Sequence, residues 1–457
     1  MDLIETIIDH ITAVTYAALD EQTVTATKSV ILDTMGAAVA GSSGAGIKDL
    51  VDLTLDWGGK PEGEILVYGG RVPAFQAVLL NCAMARAWEL DEMHENRGGH
   101  LSSSLVPTTF VFAQNAPHKI SGRELIFAVA TGTDLVCRLR QALKTQFGWV
   151  SETFAPFGVV AIASRLLHLN REQTLAAMGL AYAQASCNGQ GTVDGALSVR
   201  LQQGLAAKAG VLAVRYAQIG YTGPRNILQG PYGLYPLYGR NEYDPAVITT
   251  ELGQRFEIVN TSLKPYPSCK HTHNAIAAVA KLAQEHAIAP GAIRHVTIRT
   301  NRDAYNKCWA DPAKRRPGNV VDAQFSLPVM VALAAMKGTV SLADLSPNTW
   351  GNPSVLELAD KVEVRIDPDL DKMPLLICPN IVELETTNGK HYSERIDFVK
   401  GSPQNRMTFA ECTEKFEGCV GFAARPIAPA KVREFVHTVD NLELIEDIRG
   451  MAGLLIG

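Results

Sequence analysis

Near residue 264 the apolar residues of this chain stop recurring every three or four positions and, after one more helical stretch, begin to alternate. The helical period buries one stripe of a helix and strict alternation buries one face of a strand, so the two halves of the pattern call for different layers. Upstream, helices are predicted over 23–41, 73–94, 122–143, 157–168, 171–187 and 198–219, the last closed by Gly220-Tyr-Thr-Gly-Pro224. Downstream, a helix over 273–287 precedes His295-Val-Thr-Ile-Arg-Thr, Val362-Glu-Val-Arg-Ile and Ile381-Val-Glu-Leu-Glu-Thr-Thr, which read as half-buried strands with Asn388-Gly389 as a hairpin turn. Helices over 323–336 and 342–346 fall between these strands, and the helical period returns over 407–417 and 429–454. The expected fold is mostly α with an α+β part. A large helical domain would take residues 1–264 and 399–457, with an α+β lid inserted over 265–398. A chain of 457 residues is long enough for two cores. No long linker separates them, so a ligand is expected in the cleft where they meet.

Charge and cysteine usage narrow the function classes. With 47% hydrophobic and 19% charged residues and a net charge of −5, the chain lacks the basic face that phosphate backbones require, so no nucleic acid is expected. No apolar run is long enough for a membrane span. The eight cysteines are scattered without a Cys-x-x-Cys pair, as suits reduced, buried thiols. The acidic, helical start differs from a signal or transit peptide, and a cytoplasmic protein is expected.

Against that acidic background, Lys264-Pro-Tyr-Pro-Ser-Cys-Lys-His-Thr-His-Asn stands out. Pro265 and Pro267 stiffen the approach to a helix entrance. Lys264, Lys270, His271, His273 and Cys269 would thus converge there with backbone N–H groups and the positive end of the helix dipole. Such a place suits an anion; the plainer alternative is a capped surface helix.

A second cluster is Arg86-Ala-Trp-Glu-Leu-Asp-Glu-Met-His-Glu-Asn-Arg-Gly-Gly-His-Leu-Ser-Ser-Ser. At ~100° per residue, Leu80, Met84, Ala87 and Asp91 share one helical stripe that His94 extends, while Glu89 falls on the opposite, solvent side. Asp91 and His94 on an apolar stripe require partners, in each other or in a ligand. His100 follows the break at Gly98-Gly99. Asp91, His94, His100, His271 and His273 could be weighed as a metal set, but no Cys or carboxylate shell accompanies the His-x-His pair, and no metal is expected. Arg200, after the glycine-rich 189–195 loop, offers a further cation, and Tyr305 a phenol. Each also reads as an ordinary surface residue, and Lys314-Arg-Arg-Pro as a solvated basic run.

Taken together, these segments resemble the MmgE/PrpD family. The likeness is carried by Ile31-Leu-Asp-Thr-Met-Gly-Ala-Ala-Val-Ala-Gly, the acidic stretch leading to His100-Leu-Ser-Ser-Ser-Leu-Val-Pro, Gly204-Leu-Ala-Ala-Lys-Ala-Gly, Lys264-Pro-Tyr-Pro-Ser-Cys-Lys-His-Thr-His and Ala323-Gln-Phe-Ser-Leu-Pro, in that order. The resemblance implies cofactor-free chemistry on a small anionic di- or tricarboxylic acid, in a homodimer of helical domains with α+β lids. It maps the family's acidic motif, its histidine and its lysine onto Asp91, His100 and Lys264, with Glu89 as the rival to Asp91. Asp91 would orient or transfer a proton and His100 would act as acid or base. Lys264 and Arg200 would bind carboxylate, with Tyr305 as a proton donor. Where the family often has histidine or lysine, this chain has Trp149, Ser198-Val-Arg-Leu-Gln and Cys269, so a divergent member with its own substrate is implied. Dehydration of a 2-methylcitrate-like acid is the first expectation; epimerisation or isomerisation, cis-aconitate-like decarboxylation and non-catalytic carboxylate binding are the alternatives.

Overall fold

Within residues 21–41 the side chains from Ser29 onward are small or apolar on every side of the helical wheel, Asp33 excepted, and a helix apolar all round has to be buried all round. The computed structural model describes residues 2–97, 99–145 and 147–457. It places this segment at the centre of the larger core as α1 (Glu21–Gly41), begun by Asp20, whose carboxylate accepts the Thr23 N–H. Helices α2 (Ala74–Arg86), α3 (Ser102–Asn115), α4 (Gly122–Gln141), α5 (Ala155–Leu166) and α6 (Ser198–Gln218) pack into this core, as do Leu3–Ala13 and Arg171–Tyr182. From the far end of the chain, Phe409–Val420 and Pro429–Asp440 pack into the same core, which runs from Ile4 to Leu263 and again from Cys412 to Leu455.

Close helix crossings here depend on missing side chains. A Cβ on Gly204 of α6 would stand 2.2 Å from the Leu79 carbonyl oxygen of α2, a backbone atom that has no rotamer to escape into. Gly204→Val is therefore expected to cost about 1–3 kcal/mol or more, read as a lowered melting temperature or as insoluble protein.

A second core runs from Cys269 to Leu384 and also takes in Val199. Its sheet contains β3 (Ile293–Thr300), β4 (Val362–Ile366), β5 (Asn380–Thr386) and β6 (His391–Ile396) in the order β4-β3-β5-β6. The β3–β4 pair is parallel, with Val296 opposite Val362, and the other pairs are antiparallel. Helix α7 (His273–Glu285) covers β5 and β6 and packs on α8 (Leu327–Lys337). The buried alternation of β5 (Asn380, Val382, Leu384, Thr386) is the period-two pattern read from the sequence. Gly389 turns the β5–β6 hairpin with φ of 80°. The fold is mostly α with an α+β part. No helix among the described residues is long and apolar enough to cross a membrane, and all eight cysteines are unpaired and buried.

Two expectations need correction. The helix predicted over 73–94 stops at Arg86; Glu89 adopts a left-handed φ of 53° and Met93–His94 forms a short strand, β1. Asp91 and His94 thus do not share a helical stripe, and Glu89 is buried rather than solvated. Lys314, read as part of a solvated run, is buried and paired with Asp322. Gly98, part of the predicted break, lies outside the described residues.

Candidate functional site

The two sequence clusters, 86–107 and 264–274, meet because β1 pairs antiparallel with β2 (Thr261–Ser262), with Met93 opposite Ser262 and His94 opposite Thr261. Strand alternation then sends Met93 to the cavity side and His94 the other way. His94 Nε2 lies 3.1 Å from the Glu257 carboxylate, inside the first core and off the cavity lining.

Between the two cores lies a cavity of about 1030 Å³. From the first core it is lined by parts of 86–100, 140–152 and 188–202; from the second by Cys269, Lys270, His271, Asp303, Lys307, Phe325 and residues 373–376. His100 is its best-fixed polar group. The His100 N–H donates to Ser151 Oγ at 3.2 Å, and its carbonyl accepts from Gln203 Nε2 at 2.8 Å. Both partners are held by Glu152, whose carboxylate accepts from Ser151 Oγ and from Gln203 Nε2. The ring is held as well: His100 Nδ1 is 2.8 Å from the Glu92 carbonyl oxygen and 3.2 Å from Asp91 Oδ2. A carbonyl only accepts, so Nδ1 carries the proton, and in the neutral ring the lone pair sits on Nε2.

Asp91 is wholly buried and accepts from Ser103 Oγ at 2.7 Å. Arg86 Nη1 is 3.4 Å and Lys264 Nζ 3.9 Å from its other oxygen. Burial alone would raise its pKa, but His100, Arg86 and Lys264 together hold it well below the usual carboxylate range. Glu89, bonded to Arg86 and 2.8 Å from Lys264 Nζ, is held low in the same way: burial opposes, and Arg86 and Lys264 prevail. Glu92 differs. Burial and the neighbouring Asp91 push its pKa up, although its Oε1 accepts the Leu101 and Ser102 N–H groups at the start of α3.

The second core supplies the other wall. Lys270 ends the proline-stiffened approach and is buried, 3.4 Å from Ser402 Oγ and 3.9 Å from Glu95. Burial lowers its pKa to about 8, helped by Lys264 and Lys415 and opposed by Glu95. His271 Nε2 is 2.9 Å from Asp303, whose carboxyl is held low by that contact against burial. The Cys269 thiol shares a hydrogen bond with Cys308; that contact and His271 pull its pKa down while burial opposes.

Of the residues singled out from sequence, His100, Cys269, Lys270 and His271 line the cavity, with the rival Glu89 beside them. Asp91 and Lys264 lie directly beneath. The Lys264 ammonium is spent on the Glu89 carboxylate and, at 2.9 Å, the Glu89 carbonyl oxygen. Arg200 lies off the lining, donating to the Ala45 carbonyl at 3.2 Å, and Tyr305 packs on the second core. His273 is buried, 3.2 Å from the Ser268 carbonyl and edge-on to Tyr266. The five residues weighed as a metal set therefore do not converge on one point. Asp91, Glu92 and His100 do present ligand atoms within 4.8 Å of one another. Most of that set is already engaged: Asp91 Oδ2 by Ser103, Glu92 Oε1 by two backbone amides and His100 Nδ1 by a carbonyl.

Sequence reading missed Ser151, Glu152, Gln203 and Asp303, which fix His100 and His271 from distant segments; no local signal marks them. Arg86 and Glu92 were visible only as two of the many charges in the 86–97 stretch.

Comparison with known proteins agrees with this architecture. Residues 5–245 match the MmgE/PrpD N-terminal domain and residues 266–443 the MmgE/PrpD C-terminal domain. The cis-aconitate decarboxylase-like protein oryM of Aspergillus oryzae is 25% identical, over 94% of this chain and 92% of its own. The cis-aconitate decarboxylase of Aspergillus terreus is 24% identical, over 94% and 90%. That of Homo sapiens is also 24% identical, over 96% and 91%. With both family domains matched in order along nearly the whole sequence, the chain belongs to the MmgE/PrpD family.

Proposed function

We propose that this protein is a cofactor-independent lyase that removes water from a small hydroxy di- or tricarboxylic acid of the 2-methylcitrate type. The observation that carries the reading is the tautomer of His100. With Nδ1–H spent on the Glu92 carbonyl and Asp91, Nε2 is left as a base for a ligand in the cavity. In this mechanism Nε2 takes the proton from the carbon next to a substrate carboxylate, and Asp91 stabilises the imidazolium so formed. The electron pair moves into the carboxylate as enediolate charge, which Lys270 offsets. Collapse of that charge forms the carbon–carbon double bond and expels the hydroxyl, which leaves as water with a proton from Lys270.

Lys270 works in its protonated form, and its pKa of about 8 sets the limit. Below pH 8 the ammonium is present; above it the proton and the charge are lost together. kcat/KM is therefore expected to fall above about pH 8. In Lys270→Arg the guanidinium keeps its charge but gives up no proton, so kcat should fall at every pH and the alkaline limb near pH 8 should disappear, as a pH–rate profile would record.

The names of the matched relatives favour a second reading, decarboxylation, in which the carbanion comes from loss of CO₂ and His100 returns a proton. Product mass separates the two on a panel of hydroxylated and unsaturated di- and tricarboxylic acids: loss of water supports the first reading, loss of CO₂ the second. No turnover and no ligand-induced thermal shift across the panel would sink both.

A further inference from the structure

Resting on that reading of the site, we infer that the substrate carries a sizeable apolar substituent, an alkyl or aryl group, in addition to its carboxylates. Three observations converge on this.

The first is size. A cavity of about 1030 Å³ lies at the upper end of the roughly 300–1,000 Å³ that drug-sized ligands occupy. At ~30 Å³ per water, a compact acid of citrate size displaces only a minority of its contents.

The second is polarity by depth. The ionic groups Arg86, Glu89, His100, Lys270 and His271 belong to the buried or nearly buried floor, whereas the side chains of Asp303 and Lys307 are 39% and 45% exposed and stand nearer the opening. Part of the outer lining is apolar and open to water: Phe147 is 36%, Val193 57% and Leu375 38% exposed, with Trp149 and Val150 beside them, and the polar Asn96, Asn188, Gln190 and Lys307 share the opening. These residues come from three separate stretches, and large apolar side chains left in water around one opening mark a binding surface. A fully ionic acid gains nothing from that wall. An amphipathic acid whose carboxylates reach the floor would cover it.

The third is that the wall is built. Gly189 N–H donates to the Gly148 carbonyl at 3.0 Å, and Trp149 bridges to Asn188, which ties two of the stretches together. Trp149 packs on Tyr238 with ring centroids 4.4 Å apart, and the Arg240 guanidinium sits 4.1 Å over the Phe147 ring. Both aromatic side chains are thus braced from behind and present their remaining surface to the cavity.

The test is a series of 2-alkyl-substituted hydroxy tricarboxylic acids from methyl to octyl, assayed with the full chain. kcat/KM is expected to rise about threefold to fourfold per methylene, the burial of one CH₂ converted to a rate factor, until the substituent passes the opening. Val193→Asp and, independently, Leu375→Asp place a charge on the wall from different stretches; both sites are exposed, so folding is not at stake. Each should flatten the dependence on chain length. A flat or falling dependence in the unaltered protein, with the methyl compound turned over, overturns the substituent while the lyase reading stands. So does an unchanged slope in both variants. If no member is turned over at any length, the lyase reading fails and this inference falls with it.

Discussion

Replacement of His100 by alanine is expected to lower kcat by about 100- to 10,000-fold, the range for loss of a positioned general base. KM should change by only a few-fold. The ring makes its contacts through Nδ1, to Glu92 and Asp91, and the latter keeps Ser103 and Arg86 as partners when the ring is gone. The carboxylate beneath is therefore not orphaned, and the folded protein should retain its melting temperature within a few degrees. Because Asp91 acts through His100, adding Asp91→Asn to the alanine variant should cost little more activity; residues that work as a unit do not add. Steady-state kinetics of both variants check this. Equal, independent losses would mean that Asp91 acts on substrate by itself.

Lys264→Met is expected to act in the opposite way, on stability first. The ammonium is fully buried between Glu89 and Asp91, and its removal leaves Glu89 with Arg86 as its ionic partner and Asp91 with Arg86, His100 and Ser103. Breaking a buried pair from one side costs about 3–5 kcal/mol, which for a core of this size is roughly 5 °C or more in melting temperature. Lys264→Met combined with Glu89→Gln removes one stranded charge and should recover about half of the loss. The alternative, that Lys264 grips substrate directly, predicts the reverse: little change in melting temperature and a raised KM. Thermal denaturation without ligand separates the two.

Much of the fold could be read from the chain because its period changes once and stays changed. The α1 segment, the 198–219 run and the alternating strands of the second core all appear where periodicity puts them. Failure came where local pattern and tertiary contact disagree. The 73–94 run keeps its apolar spacing past Arg86, yet the chain leaves the helix there. The left-handed turn at Glu89 lets Arg86 and Lys264 reach its carboxylate, and β1 must then extend to pair with β2. Nothing within a window of eighteen residues encodes a partner about 170 positions away.

The candidate site divides along the same line. His100 was legible as a titratable group just after a glycine break and Lys270 as a charge on a proline-stiffened approach, and the cavity opens there. Arg200 looked equally available, but its guanidinium is turned to the Ala45 carbonyl behind α6, an orientation set by packing rather than by position in the sequence. Tyr305 was placed by its cationic neighbours, whereas the short helix Arg302–Cys308 presents Asp303 and Lys307 to the cavity and leaves the tyrosine half-buried against the second core. Residues such as Ser151 and Gln203, which hold the histidine without touching a ligand, are ordinary polar side chains until the fold brings them together.

Solvent deuterium is the most direct probe of the proton that His100 is said to carry. A di- or tricarboxylic acid bound by the protein is incubated in D₂O, and label at the carbon next to its carboxylate is followed by mass spectrometry. Label should enter recovered substrate or product with the native chain and be reduced at least a hundredfold with His100→Asn, while binding persists. Undiminished labelling in the variant would place the base elsewhere and contradict the account.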